Sequence, residues 1–89
     1  MPCSVIVTGG FGSLGAVVAE KFASMGEKVA RIDYAKAPDS ANLAMLDIGG
    51  VDLTDPVSTR VALDKVIEAH GGIDVLVNIA GGFAWVVSP

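Results

Sequence analysis

Residues Thr8 to Gly15 read Thr-Gly-Gly-Phe-Gly-Ser-Leu-Gly, with glycine at positions 9, 10, 12 and 15, between the apolar runs Ser4 to Val7 and Ala16 to Ala19. The first run is β-branched and strand-like, and the second continues into a helical pattern, so the chain must turn from extended to helical backbone within a few residues. From Leu14 the apolar residues Leu14, Val17, Val18, Phe22 and Met25 recur at helical spacing, opposite Glu20, Lys21 and Ser24. That stripe is expected to face the core, and Gly26 stands where a left-handed C-terminal cap belongs. Only a short turn then precedes Lys28 to Asp33, which reads as a second strand and completes a βαβ unit.

Tyr34 to Met45 is expected to be a loop with at most one helical turn, because Pro38 forbids a regular helix through it. Leu46 to Asp52 supplies a third strand, placed toward its Gly50 to Leu53 end. Thr54 or Asp55 then caps a second helix with Pro56 in its first turn, and Val57, Val61, Val66, Ile67 and His70 run along one side. Gly71 and Gly72 end it. Ile73 to Asn78 is almost continuously apolar, as a central parallel strand covered on both faces would be. Strands alternating with helices specify an α/β fold: one domain over residues 1–89, a partial Rossmann fold whose four parallel strands lie in the order 3-2-1-4 with helices on both faces. The switch point between strands one and four opens a crevice at their C-terminal ends, where Thr8-Gly9 and Asn78 to Gly82 both arrive.

Composition agrees with a sheet buried on two sides: 52% of residues are hydrophobic and 18% charged. No apolar run is long enough to span a membrane, and the N-terminus has no basic start followed by an apolar block, so the chain reads as cytoplasmic. The lone Cys3 allows no internal disulfide, and no Cys/His cluster has metal-ligand spacing. A net charge of -4 without a Lys/Arg cluster argues against nucleic acid and anionic membrane as partners.

A strand turning into a helix leaves the first helical N–H groups pointing outward with the positive end of the helix dipole behind them, a site for an anion. Glycines permit the tight turn and let a pyrophosphate approach. The run Gly10-Phe11-Gly12-Ser13-Leu14-Gly15 is a weak match by itself. It gains weight from the strand before it, the helix after it and Asp33 about 20 residues on. Asp33 can accept from both hydroxyls of an adenosine ribose, and its charge repels a 2′-phosphate, which favours NAD over NADP. Arg31 has two roles open to it: a guanidinium near the ribose could welcome a phosphate, or, sharing a strand face with Asp33, it simply neutralises that acid. Asp52 has two roles open to it, bonding the adenine amine or starting the next turn.

These residues resemble the short-chain dehydrogenase/reductase family through the loop Thr8 to Gly15, Asp33, Asp52-Leu53-Thr54-Asp55, and Leu76-Val77-Asn78-Ile79-Ala80-Gly81. The resemblance implies a nicotinamide dinucleotide held by Thr8, Gly9, Gly12, Ser13, Leu14, Gly15, Asp33, Asp52, Leu53, Asn78, Ala80 and Gly81. It further implies hydride transfer between that cofactor and a carbonyl or alcohol. Two motif positions depart from the family: Ser13 replaces the middle glycine of the shorter branch's loop, and Ile79 replaces the second Asn of Asn-Asn-Ala-Gly. Gly12 stands where NADP-preferring members often carry Arg or Lys, again favouring NAD.

The family's Tyr-x-x-x-Lys pair is missing, since the single tyrosine, Tyr34, is followed four residues later by Pro38. No catalytic residue is assigned, and the chain is expected to match the first third of a family member and to be inactive alone. Strand four is expected to expose an apolar edge, so that the chain forms a homo-oligomer through that edge and the tail Phe83 to Val87, by pairing or exchange. An alternative is a non-enzymatic nucleotide-binding or assembly module that docks a partner on the same edge. His70 is read as an imidazolium at the negative end of its helix, Cys3 as a small packed hydrophobe, and Trp85 as a cover for apolar surface.

Overall fold

The computed structural model describes residues 2–37, 45–79 and 85–87, the last three as backbone only. The chain runs β1 (Ser4–Thr8), α1 (Ser13–Ser24), β2 (Lys28–Ile32), β3 (Met45–Ile48), α2 (Pro56–His70), β4 (Val75–Asn78) and β5 (Trp85–Val87). The sheet order is β3-β2-β1-β4-β5, and the first four strands are parallel as expected. Residues 38–44 of the expected loop lie outside the described residues.

Alternation along the strands divides the core between the two faces. Val5, Val7, Val29 and Val77 pack with Ala19 under α1, whereas Ile6, Ala30, Ile32 and Ile48 pack with Ala62 and Val66 under α2. All five residues of β1 are buried, as a central strand covered on both sides requires.

Four expectations are corrected. The third strand lies earlier, at Met45–Ile48, because Gly49 and Gly50 form the turn that leaves the sheet. Gly50 has φ +69, and the amides of Gly50 and Val51 bond back to the carbonyls of Ala35 and Asp33. On α1 the core face is the small one, Gly15 and Ala19 with Val18 and Phe22 beside them, while Leu14, Val17 and Met25 are about 60% exposed. The helix is drawn so close to the glycine loop that only small residues fit beneath it. On α2, Ala62 and Val66 face the sheet and Val57, Val61 and Ile67 face outward. Finally, the edge of β4 is not open. β5 pairs with it antiparallel, Leu76 opposite Val87 and Asn78 opposite Trp85, so the chain covers its own edge.

The helix signals act as expected. Asp55 is the cap of α2, accepting from the Val57 amide at 3.1 Å, with Pro56 following it, and Gly71 closes the helix at φ +87. Gly26 closes α1 at φ +85. Cys3 is held among Glu27 and strand residues, and the Glu27 carboxylate beside it pushes the thiol pKa up, which suits a packed thiol rather than a nucleophile.

His70 departs from its expected charge. Its Nδ1 lies 2.8 Å from the Ser4 hydroxyl, and the carbonyl end of α2 is served instead by Lys28, whose ammonium donates to the His70 carbonyl at 3.1 Å. Burial, then the Lys28 charge, lower the imidazole pKa. The unfolded chain therefore binds more protons than the folded one just below the ordinary imidazole pKa. The stability that neutral His70 contributes is present above about pH 6.5 and lost as pH falls through the folded value. Thermal melts between neutral and mildly acidic pH should show Tm falling with pH, and His70→Gln should flatten the part of that slope nearest neutrality.

Candidate functional site

The C-terminal ends of β1, β2 and β4 bring the glycine loop, Asp33 and Asn78 together. Gly9 starts the loop at φ +67, a left-handed conformation that side-chain-bearing residues avoid. The Gly12 amide closes the turn on the Gly9 carbonyl at 3.2 Å, and the Gly10 amide bonds the Ile32 carbonyl at 3.3 Å. Gly10 and Gly15 are required by space. A Cβ on Gly10 would stand 2.6 Å from the Arg31 Cβ, and one on Gly15 would stand 2.8 Å from the Gly10 Cα, besides striking the Gly9 carbonyl.

This arrangement determines which amides remain for a ligand. Those of Gly10, Phe11 and Gly12 are used within the protein, and the first intrahelical bond runs from the Ala16 amide to the Gly12 carbonyl. Gly12 is the N-cap and has no side chain to cap with, and the first turn of α1 has no acidic residue. The amides of Ser13, Leu14 and Gly15 therefore sit at the positive end of the helix without intrahelical acceptors, above a cradle kept open by glycine. Such a cradle fits a pyrophosphate.

Asp33 follows β2 and is held from four sides. Its Oδ2 accepts from the Phe11 amide at 3.0 Å and its Oδ1 from the Ala35 amide at 3.1 Å. Its own amide and carbonyl bond Ile48 and Val51. The carboxylate is thus fixed beside the loop and still has lone pairs for two further donors. Arg31 does not neutralise it. The guanidinium turns to Asp47 on β3, opposite it in register, with Nε donating to Oδ1 at 2.6 Å and Nη2 to Oδ2. The Phe11 ring lies over the guanidinium with its centroid 5.3 Å from Cζ. Asp47 and Phe11 were invisible as site residues in the sequence, because only the β2–β3 register puts Asp47 beside Arg31.

Asp52 starts the next turn, one of the two roles open to it. Its Oδ1 accepts from the amide and hydroxyl of Thr54 at 2.9 and 2.6 Å, starting the turn into α2, and these bonds lower its pKa. Leu53, beside it, walls an apolar pocket of about 180 Å³ between the sheet and α2, which Thr8 and Asn78 also line.

Thr8 and Asn78 join the two strands at the switch point. The buried Thr8 hydroxyl donates to the Asn78 Oδ1 at 2.6 Å and accepts from the Ile79 amide at 3.2 Å. Thr8→Val leaves the part-buried Asn78 Oδ1 without its donor, while the Ile79 amide keeps the Thr8 carbonyl at 3.3 Å, and should destabilise the fold by about 1–3 kcal/mol in denaturant titrations. Thr8→Ser, which keeps the hydroxyl, should lose clearly less. Ala80 and Gly81 lie outside the described residues, as do the side chains of the tail that includes Trp85. Tyr34 is 76% exposed, and no cluster of metal-ligating side chains occurs among the described residues.

A family model described as short chain dehydrogenase matches residues 4–88. D-threitol dehydrogenase of Mycolicibacterium smegmatis is 35% identical over 85 residues, which cover 85% of this chain and 32% of that protein. Thermoplasma acidophilum aldohexose dehydrogenase in ligand-free form superposes with a TM-score of 0.74 at 32% identity, covering 86% of this chain and 29% of that one. A short chain dehydrogenase from Burkholderia cenocepacia in complex with NADP gives a TM-score of 0.71 at 36% identity, over 85% and 34% of the two chains. The chain spans about a third of the length of the relatives it matches.

Proposed function

The chain belongs to the short-chain dehydrogenase family, and on that premise we propose that its 89 residues bind the adenosine and pyrophosphate of NAD for a hydride-transferring oxidoreductase. Family membership supplies the nicotinamide dinucleotide. One similar structure contains NADP, so the choice between NAD and NADP rests on this chain's own residues.

The observation that carries the choice is the Asp33 carboxylate, fixed by the Phe11 and Ala35 amides beside the loop. It offers acceptors to the 2′ and 3′ hydroxyls of the ribose and repels a 2′-phosphate. Engagement of Arg31 by Asp47 supports the same reading, since that cation is already paired. In this reading the Ser13, Leu14 and Gly15 amides hold the pyrophosphate, and Leu53 borders the adenine. Asn78, Ala80 and Gly81 line the side toward the nicotinamide ribose. The nicotinamide, when bound, supplies the hydride acceptor. The chain's part is to bind and orient it, because the 89 residues contain no Tyr-x-x-x-Lys pair to manage the substrate proton. Relatives named for a polyol and an aldohexose support an alcohol or carbonyl substrate for the whole protein. The cofactor and the single unpaired cysteine suit a cytoplasmic setting.

Calorimetric titration with NAD, NADP and ATP tests the reading. NAD should bind at least tenfold more tightly than NADP, without turnover of alcohols. Equal binding of ATP would favour a general nucleotide-binding module, and no binding of any of the three would leave a structural one.

Self-association is proposed through exchange of β5 between copies, since β4 is already paired within the chain. Light scattering at tens of micromolar should report a dimer or larger, and a monomer would refute it.

A further inference from the structure

Binding as described above places no ligand contact on the Arg31–Asp47 pair, although its side chains are only 9% and 12% exposed and it lies against the loop. We propose that Asp47 is a specificity-determining residue: by holding Arg31 in a two-point pair, it keeps a guanidinium away from the 2′ position of the ribose, leaving Asp33 alone to set the charge there. The proposal rests on the reading of Asp33 as the ribose acceptor.

Three observations carry it. Arg31, in β2, lies two residues before Asp33, which stands just past the strand's end, so the two Cα atoms are about 6–7 Å apart along extended chain, a distance an arginine side chain spans. Phe11 touches both, its amide donating to Asp33 and its ring lying over the Arg31 guanidinium, so the cation already lies one residue's width from the acid. The Arg31–Asp47 pairing is set by strand register rather than by reach, with the Nε–Nη2 edge of the guanidinium held by both Asp47 oxygens and Asp47 raising the Arg31 pKa through its hydrogen bond. A guanidinium matches phosphate as well as carboxylate by two-point bonding. Released from Asp47, a largely buried cation loses its two-point partner and keeps only Glu20 and the reach to Asp33 as counter-charges, and the 2′-phosphate of NADP is a further anion for it to pair with.

The test compares Kd values for NAD and NADP in the unmodified chain, in Asp47→Asn and Asp47→Ser, and in each with Arg31→Met added. Circular dichroism reports which variants fold. The proposal expects NADP affinity to rise at least tenfold in a folded Asp47 variant, NAD affinity to change less than threefold, and the NADP gain to vanish when Arg31→Met is added. An unchanged NADP-to-NAD ratio, or a gain that survives Arg31→Met, overturns it. Unfolding of both Asp47 variants overturns it as well, because the pair then serves folding rather than selection. Failure of the unmodified chain to prefer NAD would defeat the reading of Asp33 and this proposal together. Preference for NAD in that chain, with no gain in the variants, defeats this proposal alone.

Discussion

Gly15→Ala should cost the chain both stability and nucleotide binding, whereas Gly12→Ala, three residues earlier in the same loop, should be tolerated. At position 15 the added methyl would run into the Gly9 carbonyl and come within 2.8 Å of the Gly10 Cα, all of it backbone. Backbone yields only if α1 lifts from β1, and that separates Ala19 from Val5 and Val7. Overpacking of this kind costs about 1–3 kcal/mol, and with no flexible side chain to give way the upper end is expected. For a domain of this size that is a fall of roughly 10–20 °C in Tm. Lifting the helix also moves the Ser13 and Leu14 amides off the pyrophosphate position, so NAD binding should weaken beyond detection at millimolar ligand. At position 12 the methyl would meet only the Gly9 carbonyl at 3.5 Å, an ordinary contact, and the backbone is already at φ -75. Differential scanning calorimetry of the two variants checks the contrast. Equal losses would mean that glycine is needed throughout the loop for turn flexibility, not at one point for close packing.

Asp33→Ala is expected to have the largest effect on ligand choice. Removing the carboxylate takes away two acceptors for the ribose hydroxyls, and a hydrogen bond to a charged group is worth roughly 1.5–3 kcal/mol. NAD affinity should therefore fall by about 100-fold or more. The Phe11 and Ala35 amides lose their partner as well, which loosens the loop and should lower Tm by several degrees. NADP loses the loop geometry but is relieved of the repulsion, so its affinity should fall far less and the preference should narrow or reverse. Asp33→Asn keeps one carbonyl acceptor without the charge and should lie between the two. Titrations with both dinucleotides check the prediction. An Asp33→Ala chain that holds NAD within threefold of the original would remove Asp33 from the ribose site.

The parts of this molecule that were legible in advance are those in which neighbouring residues determine the outcome. Gly26 and Gly71 stop their helices because only glycine enters the left-handed region freely there. Asp55 and Pro56 start α2 for reasons internal to four residues. The parallel order of the first four strands followed from strands alternating with helices and short turns. The lowered pKa of His70 was not legible, because it comes first from burial in the folded chain and then from the charge of Lys28, 42 residues away in sequence.

The sequence by itself determined the glycine loop, the acid at the end of β2 and the alternating elements that bring them to one crevice, since each depends on backbone chemistry within a single turn or strand. Only the tertiary structure decided the rest. Close approach of α1 to the loop selected Gly15 and Ala19, not Leu14 and Val17, as its inner face, because a packed core is filled by size and distance as well as by hydrophobicity. Strand register gave Arg31 to Asp47 instead of Asp33, and the pairing of β5 closed the edge of β4. Partners that meet across a sheet are separated along the chain by loops whose lengths do not set the register, so the residues on either side cannot name each other until the strands are in place.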